Sequence, residues 1–295
     1  MGEHVYLLDT MALGQAGTVS AFVIKAPKIT LVDCGYASSY ENVLAGFKEI
    51  GVSPSDVAYV IPTHVHLDHA GACGRLLREM PNARVIAQER GTPHLVDPTR
   101  LIESATKVFG KAIMEMYGLP EPMAADRITS VGKETRLELG EGVTATLVHV
   151  PGHAPHQLAV MLDGGRTLLT ADAVSIAYPG MKTLIPTTPP PSLDPAALFS
   201  SVDALGQTDP RTLLMPHFGV RSDARSVFEE TKKGVGEWIE SVRDLKKGKK
   251  GLDEITDAMV ERVIASEGTD ALPVYAKISV RTSVMGILHY LEKNP

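Results

Sequence analysis

Thr63-His64-Val65-His66-Leu67-Asp68-His69-Ala70-Gly71 is the stretch that decides how this chain is read. Four metal-competent side chains, His64, His66, Asp68 and His69, fall within six positions. Residues 57–61 before it (Val-Ala-Tyr-Val-Ile) are short, apolar and β-branched, the pattern of a buried strand. Residues 70–78 after it read as a helix. The cluster therefore falls at a strand-to-helix turn. His64 and His66, two apart in extended chain, point to one side. Asp68 and His69 come after the turn and face a second position nearby, so one loop can serve two adjacent metal ions. A solvated loop of surface histidines is the bland alternative. With ten His in 295 residues, this density makes it the weaker reading.

Working outward, residues 5–8, 18–25 and 29–33 read as hairpin strands, with Gly14 and Gly17 at one turn and Pro27 at another. Ser38 or Ser39 caps a helix that runs to about residue 50. A short strand is expected at 84–87. Residues 92–124 lose the strand signal and read as a helical insertion. Strands resume at 127–131, 135–139, 143–150, 157–162 and 167–170. Residues 179–195 hold six prolines and form a stiff loop. Asp194 is a good cap for a helix over 195–205, with Pro195 at its first position. A strand at 212–215 leads to His217, and the rest is helical, over about 222–247, 253–266 and 275–292. Strands with interleaved helices followed by a helical tail predict a layered α/β core. We divide the chain into a catalytic unit over 1–220 and a helical extension over 221–295 that packs on the core or mediates a homodimer.

Composition bounds the function. The hydrophobic fraction of 44% and charged fraction of 22% are ordinary for a soluble globular protein. A net charge of −6 and a pI near 5.9 argue against a nucleic-acid partner held by bulk electrostatics. The Lys246-Lys-Gly-Lys-Lys250 run reads as a solvated linker. Two cysteines, Cys34 and Cys73, make no disulfide framework, so a cytoplasmic setting is expected. No secretory signal and no bilayer-spanning run is visible.

Three later residues extend the cluster. His153, Asp172 and His217 each come just after an expected strand, as His64 does. Four strand ends presenting His or Asp form one constellation, because loops at the carboxyl ends of strands converge on a shared face. Asp33 also follows a strand and reads as an acceptor that orients a ligating imidazole. His156 is evenly balanced between that kind of supporting role and a plain loop histidine. His94, His149 and His289 read as structural or surface positions. No Gly-x-Ser-x-Gly elbow and no phosphate-cradling Gly-rich loop is present.

With these residues in their order, the chain resembles the metallo-β-lactamase-fold hydrolase superfamily. The matching elements are Asp33 in Leu-Val-Asp-Cys-Gly, the His-x-His-x-Asp-His loop, Pro-Gly-His153, Asp172 and His217. They cover residues 1 to about 220. The resemblance implies a four-layer αββα sandwich with the metals at one edge. It implies that His64, His66 and His153 hold one divalent ion, that Asp68, His69 and His217 hold a second, and that Asp172 bridges them. Zinc is the first expectation, with iron or manganese also suited to this donor set. The bridging Asp looks like the glyoxalase II, lactonase and ribonuclease Z branches. The true zinc β-lactamases commonly carry Cys there, and flavo-diiron reductases usually carry Glu at the His66 position. Ala171 departs from the usual Gly before the bridging Asp, and the insertion lengthens the gap from His69 to His153. The Pro-rich stretches resemble a poorly characterised archaeal and bacterial subgroup.

The expected chemistry is attack by a metal-bridging hydroxide, with Asp68 and Asp172 central, on small esters, thioesters, lactones or phosphodiesters. The insertion and the Pro-rich loop are expected to wall the pocket and set a broad specificity. Tyr178 is read either as a donor to a developing oxyanion or as a packing tyrosine. The competing readings are a mononuclear iron persulfide dioxygenase and an RNA-processing nuclease of the same fold.

Overall fold

Aliphatic runs buried on alternate faces build two six-stranded sheets. The computed structural model describes residues 4–176 and 178–294. The first sheet holds, in spatial order, β1 (Val5–Asp9), β2 (Ser20–Ile24), β3 (Ile29–Val32), β4 (Val57–Ile61), β5 (Arg84–Gln88) and β6 (Ile128–Val131). The second runs from β12 (Gly219–Arg221) through β11 (Thr212–Met215), β10 (Thr167–Leu169), β9 (Leu158–Leu162) and β8 (Val143–His149) to β7 (Glu134–Gly140).

Period-2 alternation sends neighbouring residues into different layers. Phe22 and Ile24 of β2, Ile61 of β4 and Ile86 of β5 meet Leu147, Leu158, Val160 and Leu214 between the sheets. Ala21, Val23, Val60 and Val85 point the other way, onto α1 (Tyr40–Glu49) and α3 (Cys73–Glu79) through Val43, Phe47 and Leu76. On the outer face of the second sheet, Ala159, Leu168 and Leu213 pack against α7 (Pro195–Gly206), α8 (Ala224–Lys247), α9 (Leu252–Glu267) and α10 (Val274–Lys293). The result is helix, sheet, sheet, helix: the four-layer αββα sandwich that the resemblance implies.

The insertion folds as three helices, α4 (Thr92–Val96), α5 (Thr99–Phe109) and α6 (Lys111–Tyr117). They carry a satellite cluster in which Met114, Tyr117 and Ala105 meet Leu67. Asp194 caps α7, accepting from the Ala197 N–H at 3.0 Å. The edge strand β12 is not among the strands read from the sequence. It is three residues long with Gly219 at its start, too short to show alternation.

The helix expected over 70–78 is placed differently. It begins at Leu67 as the single turn α2 (Leu67–Ala70), breaks at Gly71 and resumes as α3. The junction is closely packed. A Cβ on Gly71 would sit 2.2 Å from the Leu67 carbonyl oxygen and 2.8 Å from the Ala37 nitrogen, so the chain passes where only glycine fits. Asp68 and His69 therefore lie on a helical turn rather than in the loop before it.

Candidate metal centre

Strand direction explains why these side chains meet. β8 and β10 are each antiparallel to β9, and β10 is parallel to β11. The segments after β8, β10 and β11 therefore leave the second sheet at one edge. His153, Asp172 and His217 are in those segments. β4 of the first sheet delivers His64 to the same edge. The two sheets are tied there, since Ser20 at the start of β2 donates its N–H to the Pro216 carbonyl at 2.7 Å and its hydroxyl to that of Met215 at 3.0 Å. On the other side, Cys34 N–H donates to the His69 carbonyl at 2.7 Å and Ala72 N–H to that of Gly35 at 3.0 Å, pinning the metal-competent loop to the β3 turn.

Two groups of donor atoms result. In one, His66 Nδ1 lies 2.9 Å from both His64 Nε2 and His153 Nε2, and those two nitrogens are 3.2 Å apart. In the other, Asp68 Oδ2 lies 3.4 Å from His217 Nε2 and 3.7 Å from His69 Nε2. The Asp172 carboxylate sits between them. Its Oδ2 is 3.3 Å from His153 Nε2 and 3.4 Å from His217 Nε2, and its Oδ1 is 3.6 Å from His69 Nε2. All seven residues named from the sequence as ligands are brought together. Three imidazole nitrogens within 3.2 Å of one another, beside a carboxylate in reach of both groups, make a donor set for cations.

The donor set also fits cations by what it lacks. His69 Nε2 and Asp172 Oδ1 are buried and have no hydrogen-bond partner among the described residues. A buried polar atom left unpaired is costly, and two facing one another across the same gap suit an ion that accepts both.

Three of the imidazoles are turned by a second group. Asp33 accepts from His69 Nδ1 at 2.9 Å, and also from the Thr63 N–H at 2.7 Å and the Thr63 hydroxyl at 3.1 Å. His153 Nδ1 donates to the Thr187 carbonyl at 2.9 Å and His217 Nδ1 to that of Thr18 at 3.3 Å. Donation from Nδ1 leaves the Nε2 lone pair facing the centre. The two backbone carbonyls escaped the sequence reading, since a carbonyl carries no residue signature.

Electrostatics divides the histidines. Burial, reinforced by the neighbouring imidazoles, holds His64 well below the usual histidine range. Burial and His153 bring His66 down to about 3, and burial brings His153 to about 4 despite the Asp172 carboxylate. These three are neutral at pH 7. Burial also pushes His69 and His217 down, but Asp172 and Asp68, with Asp33 beside His69, outweigh it and hold both above the usual range. Burial pushes the Asp172 carboxyl up, and His217, His69 and His153 more than reverse it, keeping it ionised.

The remaining named residues separate. His156 is buried, with its ring centroid 6.3 Å from those of His64, His66 and His94, and its Nδ1 has no partner. Burial, then His66 and His94, brings it to about 3. It contributes no atom to either donor group. The Tyr178 hydroxyl is 2.8 Å from Ser279 Oγ on α10, and its ring meets Tyr275 edge-on. That is the packing alternative, with the hydroxyl engaged away from the cluster. Ala171, at φ 49°, holds the left-handed turn where Gly is usual.

The donor groups form the floor of a cavity of about 800 Å³. Residues of α5 and α6 and of the Thr187–Pro191 loop line it, as the sequence suggested for the insertion and the Pro-rich segment. The start of α10 lines it too, which the sequence reading did not anticipate. Gly286 of α10 makes this docking close, because a Cβ there would lie 1.8 Å from the Thr188 carbonyl oxygen.

The family model of the metallo-beta-lactamase superfamily matches residues 14–217. The chain belongs to that superfamily. The superfamily relative ST1585, a metallo-beta-lactamase fold-containing protein of Sulfurisphaera tokodaii, is 28% identical over 207 residues, 69% of this chain and 74% of its own length. The solved structure of the archaeal superfamily protein ST1585 from Sulfolobus tokodaii superposes with a TM-score of 0.72 at 23% identity, over 98% of each chain. The N-acyl homoserine lactonase AttM of Azorhizobium caulinodans is 33% identical over 136 residues, 45% of this chain and 47% of that one. Among the described residues no helix is long and apolar enough to cross a membrane.

Proposed function

We propose that this protein is a dinuclear metal-dependent hydrolase of small ester-type bonds: carboxylic esters, thioesters and lactones. The observation that carries the reading is the Asp172 carboxylate, within 3.6 Å of His153, His217 and His69 and so in reach of both donor groups. Seven donors exceed what one tetrahedral ion takes. His64, His66 and His153 would hold one ion, Asp68, His69 and His217 the other, with Asp172 shared. Divalent ions bound there supply Lewis acidity and lower the pKa of water toward neutrality.

The chain's own groups do the rest. Asp33 and the Thr187 and Thr18 carbonyls fix the imidazoles of His69, His153 and His217. The apolar walls exclude bulk water and strengthen every charge interaction on the floor. Asp68, the most open of the carboxylates at 20% side-chain exposure, stands where a proton can be passed to a departing alcohol or thiol. No side-chain nucleophile is called for, and Cys34 and Cys73 are fully buried and do not line the cavity. The lactonase AttM among the relatives supports the ester-type class. In this reading residues 1–220 are the catalytic unit and 221–295 an extension that completes the pocket.

A panel of carboxylic esters, lactones and thioesters tests it. We expect cleavage of at least one class, lost on chelation and restored by zinc, iron or manganese. A fully metal-loaded protein inert on every member would overturn the reading.

A further inference from the structure

Segments far apart in sequence meet above the donor groups. α5 and α6 bring Leu101, Phe109 and Ile113; α10 brings Tyr275 and Ile278; the Pro-rich loop closes the third side. Among the described residues lining this space there is no Lys, Arg or Glu. Its only carboxylates, Asp68 and Asp172, lie beside the histidines of the floor. A charged group placed against these walls would lose its water and meet no counter-charge.

The mouth adds a second observation. Leu13, Met116 and Val274 line it and are 36%, 56% and 73% exposed. They come from the turn after β1, from α6 and from the first residue of α10. Single exposed apolar side chains are ordinary, but three from separate segments converging on one opening form a patch that marks a binding surface.

We propose that the site takes an uncharged ester, thioester or lactone with an extended apolar acyl tail, and discriminates against phosphodiesters and other anions. The tail runs from the donor groups along α5 and α10 to the rim. This rests on the hydrolase reading and narrows its substrate class. The step itself is ordinary hydrolysis. Water forms a new C–O bond at the acyl carbon, and the bond to the leaving oxygen or sulfur breaks. The leaving group departs with a proton, and the acid product ionises. Burial of the tail makes the expected preference steep, about three- to fourfold in kcat/KM per methylene.

The zinc-loaded full chain is assayed on p-nitrophenyl acetate, butyrate and octanoate and on bis-p-nitrophenyl phosphate. We expect kcat/KM to rise about 10²-fold from butyrate to octanoate, with the phosphodiester no better than acetate. Val274→Asp and Met116→Asp, at exposed positions where folding is not at stake, are expected to lower the octanoate-to-acetate ratio about tenfold. A flat or falling chain-length profile, a preference for the phosphodiester, or rim variants with an unchanged ratio would overturn the proposal. Cleavage of short and long esters alike would overturn it while leaving the hydrolase reading standing. Inactivity on every ester would overturn both.

Discussion

Asp172 Oδ1 faces His69 Nε2 across 3.6 Å, too far for a hydrogen bond, and neither atom has a hydrogen-bond partner among the described residues. Both are buried, and the same carboxylate is 3.3 Å from His153 through its other oxygen. A fold that spends a buried carboxylate this way leaves room for a cation on each side of it.

Asp172 therefore outranks His156, although both are buried and near the loop. Asp172→Ala should remove most of the bound metal and of the activity. His156→Ala should leave metal content nearly intact, because His156 supplies no atom to either donor group. Elemental analysis of the two purified variants checks the ranking.

Asp33 acts through His69. Asp33→Ala removes the acceptor that orients the imidazole and also releases Thr63 N–H and Oγ1. It strains the turn as well, because Asp33 stands at φ 59°, which Asp and Asn tolerate better than Ala. Metal affinity should fall about 10–100-fold. Asp33→Asn, which keeps an acceptor and suits the turn, should fall less. Competition against a calibrated chelator reads both.

The pKa pattern gives a proton count. Ligating imidazoles must be neutral. His66 at about 3 and His153 at about 4 are neutral at pH 7 and at pH 5, and burial holds His64 below the usual histidine range. Against burial, Asp172 and Asp68, with Asp33 beside His69, raise His69 and His217, so these two keep a proton to higher pH than the other three. Filling the three-histidine group should release fewer protons than filling the other group and depend less on pH. Filling the Asp68–His69–His217 group should release protons, and its affinity should fall as pH falls. Calorimetry in two buffers of different ionisation enthalpy separates the phases; equal proton release in both would contradict the assignment.

α10 is coupled to the metal centre through two consecutive residues. Thr187 accepts from His153, and Thr188 packs on Gly286. Gly286→Val forces helix and loop apart. It should cost about 1–3 kcal/mol of stability and weaken metal binding at the three-histidine group. Denaturant titration and metal competition, done together, test the coupling; lost stability with unchanged metal affinity would argue against it.

What the sequence made legible follows from where the information is local. His64, His66, Asp68 and His69 are adjacent in sequence, and His153, Asp172 and His217 each follow a run of strand-forming residues, so their convergence could be reasoned from strand ends. The short, apolar, β-branched run over residues 57–61 announced a buried strand leading into the cluster. Long-range pairing was not visible. Tyr178 meets Ser279 across 101 residues, and nothing in either neighbourhood says so. The segment over 275–292 reads as a helix whether it packs on a sheet or on a pocket, and the close approach of Gly286 to Thr188 sets it against the pocket. The junction at Gly71 packs on the backbone of residues 36 and 37, which a local reading of the helix does not see.

The central claim is that Asp172 joins two cation sites. The most direct test is the metal content of protein purified without chelator, loaded with zinc and dialysed, measured by elemental analysis against protein concentration by amino-acid analysis. The account predicts two ions per chain, falling below one for Asp172→Ala. A firm limit of one ion per chain in the unaltered protein, above all one iron, would contradict it and favour the mononuclear dioxygenase chemistry instead.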